Sequence, residues 1–173
     1  MKLLKTIKEK DIFPDSELSN KESGYITRKA VRAVVFDKDN KIALLKISKH
    51  NYFKLPGGGV ENGEDSFAAL KRECLEEIGC QIIVKDEIGK ILEFREFDPG
   101  GKLQQESFCY LAYINGEKGE PSFTEEEIKG GFQLLWVSLK DAISLLKTSR
   151  PDVYIGKFIL VRDLVFLLEI HNL

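Results

Sequence analysis

Glutamates, one arginine and a run of glycines crowd into residues 57–80, GGGVENGEDSFAALKRECLEEIGC, and their spacing points to metal-assisted chemistry. On a helix advancing about 100° per residue, Glu73, Glu76 and Glu77 share a face because they stand at i, i+3 and i+4. Phe67, Leu70, Cys74, Leu75 and Ile78 fall opposite, so the sequence predicts a helix with a core-facing wall and an anionic wall. Like charges at this spacing cost roughly 0.2–0.5 kcal/mol per pair. Glu76 and Glu77, in the last turn, also oppose the helix dipole by ~0.3–1 kcal/mol each. A positive partner is expected, and a hard cation that prefers oxygen, Mg²⁺ or Mn²⁺, suits carboxylates and backbone carbonyls.

The flanking residues are those needed to hold such a wall. Gly57, Gly58 and Gly59 permit a tight path that turns carbonyls outward, and Gly63 after Asn62 suits a left-handed turn position. Asp65 or Ser66 is placed to cap the helix, and Gly79 to end it.

Taken in order, Gly58, Glu64 after five residues, Arg72-Glu73 after seven more, then Cys74, Leu75, Glu76, Glu77, Ile78, Gly79 and Cys80 resemble the box of the Nudix hydrolases. That pattern is G-x5-E-x7-R-E-U-x-E-E-x-G-U, with U a bulky aliphatic. Every glycine, glutamate and arginine position is met. Cys74 and Cys80 stand at the two U positions, a departure that touches packing more than chemistry.

The resemblance implies an α/β fold, an α/β/α sandwich on a mixed β-sheet. It implies hydrolysis, by water and divalent metal, of the pyrophosphate linkage of a nucleoside diphosphate joined to another moiety. Carried over by position, Glu73, Glu76 and Glu77 bind or orient Mg²⁺ (or Mn²⁺), with the Gly57 carbonyl as a further ligand. Glu64 and Arg72 form an ion pair that fastens loop to helix. The general base is Glu73 or one of Glu125, Glu126 and Glu127, an acidic run after the box, one of which the resemblance offers as a further metal ligand or the base, and which is otherwise a solvated loop. Nucleoside triphosphates, nucleotide sugars and dinucleoside polyphosphates all remain open as substrates. Two alternatives stand beside hydrolysis: a domain that senses nucleotides without cleaving them, and an isopentenyl-diphosphate-isomerase-like enzyme, for which Cys109 is the sole cysteine outside the box.

Composition narrows the class. With 173 residues, 43% hydrophobic and 31% charged, the chain has the size and balance of one soluble domain, 29–173, preceded by an extended lead-in, 1–28, packed loosely on its edge. A net charge of −2 argues against bulk nucleic-acid binding. Lys5, Lys8 and Lys10 interrupt every apolar run near the start, and no stretch reaches the ~18–20 apolar residues of a membrane span. A cytoplasmic location is expected. The three cysteines lack C-x-x-C spacing and read as reduced thiols, and His50 and His171 as surface histidines.

Along the chain, 29–36 and 42–47 read as a hairpin about Asp37–Asn40. Arg32 inside the first run is either a salt-bridged edge residue or a phosphate contact. Tyr52 and Phe53 either shape the substrate pocket or pack in the core. Residues 81–84 and 88–97 read as strands around a polar break at 85–87, 98–101 as a turn, and 105–114 as a central strand, with the flanking runs forming a hairpin that reaches away from the sheet. A polar loop at 115–131 leads to a closing strand, 132–137. Ser138 caps a helix through Leu146, and 153–170 forms a helix that packs on the core or forms a homodimer contact.

Overall fold

The computed structural model describes residues 1–16, 24–97 and 101–171. The turn expected at 98–101 and the stretch 17–23 of the lead-in fall largely or wholly outside these. Seven strands form one mixed sheet: β1 (Leu3–Lys8), β2 (Tyr25–Phe36), β3 (Ile42–Ile47), β4 (Tyr52–Lys54), β5 (Ile82–Phe97), β6 (Gly101–Ile114) and β7 (Phe132–Val137). Their order is β1-β5-β6-β2-β3-β4, with β7 on β3. The β1–β5 and β6–β2 pairs are parallel and the others antiparallel.

Side-chain alternation sorts the sheet into two faces. Val31, Ala33 and Val35 pack with Leu70, Cys74 and Ile78 of helix α2 (Ser66–Ile78). Val34, one step out of phase, packs with the opposite layer, α4 (Leu139–Thr148) and α5 (Tyr154–His171), through Leu146, Phe158 and Phe166. Helices on both faces of a mixed sheet make the expected α/β/α sandwich.

Several expectations change. The lead-in is not loose: β1 pairs with β5, and Ile7 is fully buried in the core. A short helix, α1 (Glu9–Ile12), follows it. The 29–36/42–47 hairpin forms but shares only the Phe36–Ile42 pair, because the edge of β2 away from β6 is taken by residues 56–60 of the glycine turn. The polar break at 85–87 is a pair of register shifts inside one continuous β5, which lets a long strand bend without ending. The β5–β6 hairpin does not reach away; it is the middle of the sheet. Within the 115–131 loop lies a short helix, α3 (Glu125–Lys129), capped by Thr124.

The close of α4 and α5 follows sequence chemistry. Ser138 accepts from the Asp141 amide at 3.1 Å, as its capping position requires. In α5, Arg162 and Asp163 interrupt the apolar surface yet are 1% and 0% exposed. No helix among the described residues is long and apolar enough to cross a membrane.

Candidate active site

The glycine turn lies along the free edge of β2. Val31 N–H donates to Gly58 O at 2.9 Å, Ala33 N–H to Pro56 O at 3.0 Å and Val60 N–H to Lys29 O at 3.0 Å. Backbone approaches backbone so closely that a Cβ on Gly57, whose φ is +131°, would overlap Val31 O. A Cβ on Gly58 would overlap the Glu73 carboxylate. The glycines therefore bring the turn against both the sheet and the helix. Their carbonyls do not all point outward: Gly58 O is taken by β2 and by Arg32 Nη1 at 3.0 Å, and Gly59 O by Arg72 Nη2 at 3.2 Å.

Asp65 caps α2, accepting from the Phe67 and Ala68 amides at 2.8 and 3.0 Å, and Gly79 ends it in the left-handed conformation, φ 64°. The helix is turned differently from the two-walled expectation. Phe67 and Leu75 are 48% and 52% exposed, whereas Glu77 is 3% exposed. Leu70 and Glu77 lie two turns apart on the same line of the helix, and that line, not the Leu75 side, faces the sheet and the glycine turn.

The glutamates consequently divide. Arg72 holds Glu64 in a two-pronged contact, Nε to Oε1 and Nη2 to Oε2, both 3.0 Å. Its Nη1 reaches Glu73 Oε1 at 2.8 Å and Glu76 Oε2 at 3.4 Å. The Arg72 fork first, then the Glu61 amide, holds the Glu64 carboxyl below its ordinary range, and Glu64 in turn raises the Arg72 guanidinium above its own. Among the described residues, Glu73 Oε2 and Glu76 Oε1 have no protein hydrogen bond; the Glu73 carboxylate lies against Gly58 with its side chain 14% exposed, and the Glu76 side chain is 51% exposed.

Glu77 is engaged on both oxygens. Lys54 Nζ donates to Oε1 at 2.6 Å and the Gly57 amide to Oε2 at 2.7 Å. Burial pushes this carboxyl up, and the Lys54 ammonium works against that push. Removing one member of such a buried pair costs roughly 3–5 kcal/mol. Lys54 was not legible as a site residue; its signal is a lone ammonium two positions before Pro56 in the apolar run Tyr52-Phe53-Lys54-Leu55.

The residues after the box are separated by function of their side chains. Glu127 bonds back to Thr124, accepting from its amide at 2.8 Å, and Glu125 pairs with Lys129 at 3.5 Å. Glu126 is left to line a cavity of about 540 Å³ with Glu127, Tyr52, His50 and Phe132. Of the two aromatics, Tyr52 borders that cavity while Phe53 packs with the core cluster on the α5 side.

Arg32 projects to the α5 face and is 8% exposed. It makes no ion pair among the described residues. Its Nη1 bonds to Val31 O at 2.5 Å and to Gly58 O, while Nε has no partner. Burial is the main cause that lowers its guanidinium to about 10. The charges of Glu93, Arg162 and Asp163 lie near it. Gln105 Nε2 donates to Glu93 at 2.7 Å, Arg162 Nε to Asp163 at 2.7 Å, and Asp163 accepts from the Leu55 amide at 2.8 Å. The three cysteines are free and buried. Cys109 sits within this layer, its thiol pushed well up by burial, so it lacks the access and the thiolate that an isomerase-like role demands.

A NUDIX domain model matches residues 26–156 of the chain. An RNA pyrophosphohydrolase of Pelagibacter ubique is 37% identical over 145 residues, covering 73% of this chain and 86% of its own. Diphosphoinositol polyphosphate phosphohydrolase 3-beta of Bos taurus is 23% identical over 139 residues, 80% of this chain and 79% of that one. The crystal structure of the MutT protein from Methanosarcina mazei Go1 shares the fold with a TM-score of 0.56 at 18% identity, over 86% of this chain and 96% of that one. With the box seated on its capped helix and most of its length inside the family match, the chain belongs to the NUDIX family and acts as a hydrolase of acid anhydrides.

Proposed function

We propose that the protein cleaves the pyrophosphate linkage of a nucleoside diphosphate joined to another moiety, with Mg²⁺ or Mn²⁺ at the box. The observation that carries this reading is the Arg72 clamp. One guanidinium ties Glu64, Glu73 and Glu76 to the glycine turn and leaves an oxygen of Glu73 and of Glu76 free.

The donor set suits Mg²⁺. Among the described residues no three acidic, histidine or cysteine side chains stand together as a closed metal cage. Mg²⁺ does not ask for one: it keeps several waters and takes one or two carboxylates plus substrate phosphates. When bound, the ion supplies the positive charge that lets a diphosphate approach a carboxylate wall.

The chain's own groups then have separate tasks. Arg72 and Glu64 hold helix and turn in register. Glu73, packed against Gly58 and fixed at one oxygen by Arg72, offers its other oxygen either to the metal or, as general base, to the attacking water. Glu126 is the second candidate, since it alone of its three neighbours has no side-chain partner among the described residues. Arg32 bonds the same Gly58 from the buried α5 side and steadies the turn, while Tyr52 borders the open cavity by which substrate would approach.

A panel of a nucleoside triphosphate, a nucleotide sugar, a dinucleoside polyphosphate, an RNA and a diphosphoinositol polyphosphate, incubated with Mg²⁺, tests the proposal. The expected result is cleavage at the pyrophosphate link of one class, identified by product mass and abolished by chelation. Tight nucleotide binding without turnover across the panel would favour the sensor.

A further inference from the structure

Residues 115–124 join β6 to α3 without helix or strand. A connection of that kind is ordinarily loose, yet this one is tied down along its length, and chiefly to the end of α2. The Asn115 amide donates to Gln81 O at 2.8 Å, the Gly119 amide to Gly79 O at 3.2 Å and the Ser122 amide to Glu76 O at 2.7 Å. Glu76 lies in the last turn of α2 and Gly79 caps it, where helix carbonyls lack partners of their own. A distant part of the chain supplies them.

The contact is close enough to need glycine on both sides. A Cβ on Gly119 would come within 2.6 Å of Gly79 O, and one on Gly79 within 2.6 Å of Glu120 O. Gly79 therefore serves twice, once through its left-handed φ of 64° and once through the space it leaves for residues 119 and 120.

Beside this crossing Lys118 acts as a peg. Its Nζ donates to Asp37 Oδ2 at 2.5 Å and lies 3.9 Å from the centroid of the Trp136 ring. The seat is itself fixed: the Asp37 side chain is fully buried, and its Oδ1 accepts from the Asp39 and Lys41 amides at 2.9 and 2.8 Å. At the far end Phe123 packs edge-on against Phe132, with 5.9 Å between ring centroids.

What these ties hold in place is α3. Glu126 follows Ser122 by four residues, a reach of roughly 14 Å at most, so the bond from Ser122 to the Glu76 main chain keeps the Glu126 backbone near the box. Its side chain lines the cavity shared with Tyr52 and Phe132.

We propose that Lys118 and Gly119 are positioning residues: they pin 115–124 across the C-terminal end of α2 and so fix Glu126 relative to Glu73 and Glu76. The second half rests on the reading that Glu126 takes part in the reaction; the first does not. The test places K118M, K118R and G119A in the full chain, alone and with E126Q. It measures steady-state kinetics on the panel compound that the wild type cleaves, and hydrogen exchange by mass spectrometry. K118M and G119A are each expected to lower kcat about tenfold through misplacement of Glu126, with KM little changed. Both should speed exchange at the Gly119 and Ser122 amides while β2 stays protected. K118R, which keeps the charge, should recover rate, and neither K118M nor G119A should lower kcat further once E126Q is present.

Unchanged exchange at Gly119 and Ser122 in both variants would overturn the pinning. Faster exchange at an undiminished kcat would overturn the positioning role, as would a loss of kcat that is equally large beside E126Q. E126Q at the wild-type rate removes Glu126 from the reaction and sinks the second half alone. A wild type that cleaves nothing in the panel sinks the proposed function, and the exchange data still decide the pinning.

Discussion

Two arginine clusters, one on each face of the sheet, handle charge in opposite ways. On the α2 face, Arg72 reaches only residues of its own segment and its network opens toward solvent, the Glu64, Glu73 and Glu76 side chains being 17%, 14% and 51% exposed, with the Lys54–Glu77 pair as the buried exception beside it. On the α5 face, Arg162, Glu93 and Asp163 are no more than 1% exposed and join elements far apart in the chain. Among the described residues, Arg162 Nη2, Glu93 Oε1, Arg32 Nε and Arg95 Nε are buried there without a hydrogen-bond partner. Rim charge stays available to a ligand, whereas deep charge fixes one layer on another at the expense of unmet bonds.

Substitutions can separate the two. The largest expected effect is on rate: Glu73→Gln should lower kcat by roughly 10²–10⁴, the usual share of a general base, with an unchanged urea midpoint. A fall in stability of the same size as the rate loss would show that the α2 face is structural as well. Arg162→Met should do the reverse, destabilising by about 3–5 kcal/mol because Glu93 and Asp163 lose their shared cation in the interior. Denaturant unfolding measures it, and a change below ~1 kcal/mol would make that cluster equivalent to a surface pair.

Smaller effects sharpen the contrast at its edges. Asp65→Ala removes the α2 cap and should cost ~1 kcal/mol in thermal or urea unfolding, while Ser66→Ala should leave the cap intact. The Glu64–Arg72 pair carries a pH signature. The folded Glu64 carboxyl lies below its ordinary value of 4.5, so its stabilisation is full above that pH and is lost as pH falls through the lowered value. The stability gap between wild type and Glu64→Gln should therefore close on acidification; a gap independent of pH would mean that Arg72 is held by packing alone.

What the sequence discloses follows the range of each contact. Helix α2, its Asp65 cap and Gly79 stop, the Ser138 cap and the Glu64–Arg72 pair depend on neighbours within a few turns, and all were readable. The burial of Glu77 was not, because helical spacing groups it equally with Glu73 and with Leu70, and only the docked glycine turn decides between them. Lys54 and Glu77 lie on different elements, so their pairing has no local pattern. Arg162 and Asp163 showed as interruptions of an apolar helix, but nothing nearby announces Glu93 or Leu55 as partners. β1 showed only as a short strand or extended arm about Ile7, for a similar reason: Ile7 is its one buried side chain, too faint an alternation to decide between them.

That first strand sets the order of assembly. Leu3 meets Lys90 and Lys8 meets Phe94, so a chain leaving the ribosome must hold its opening residues idle until most of the sheet exists. Docked, those residues shield the outer rim of β5, whose amide groups would otherwise recruit strands from other molecules. Clipping the first dozen residues should thus both empty the seat of Ile7 in the core and make the protein prone to clump.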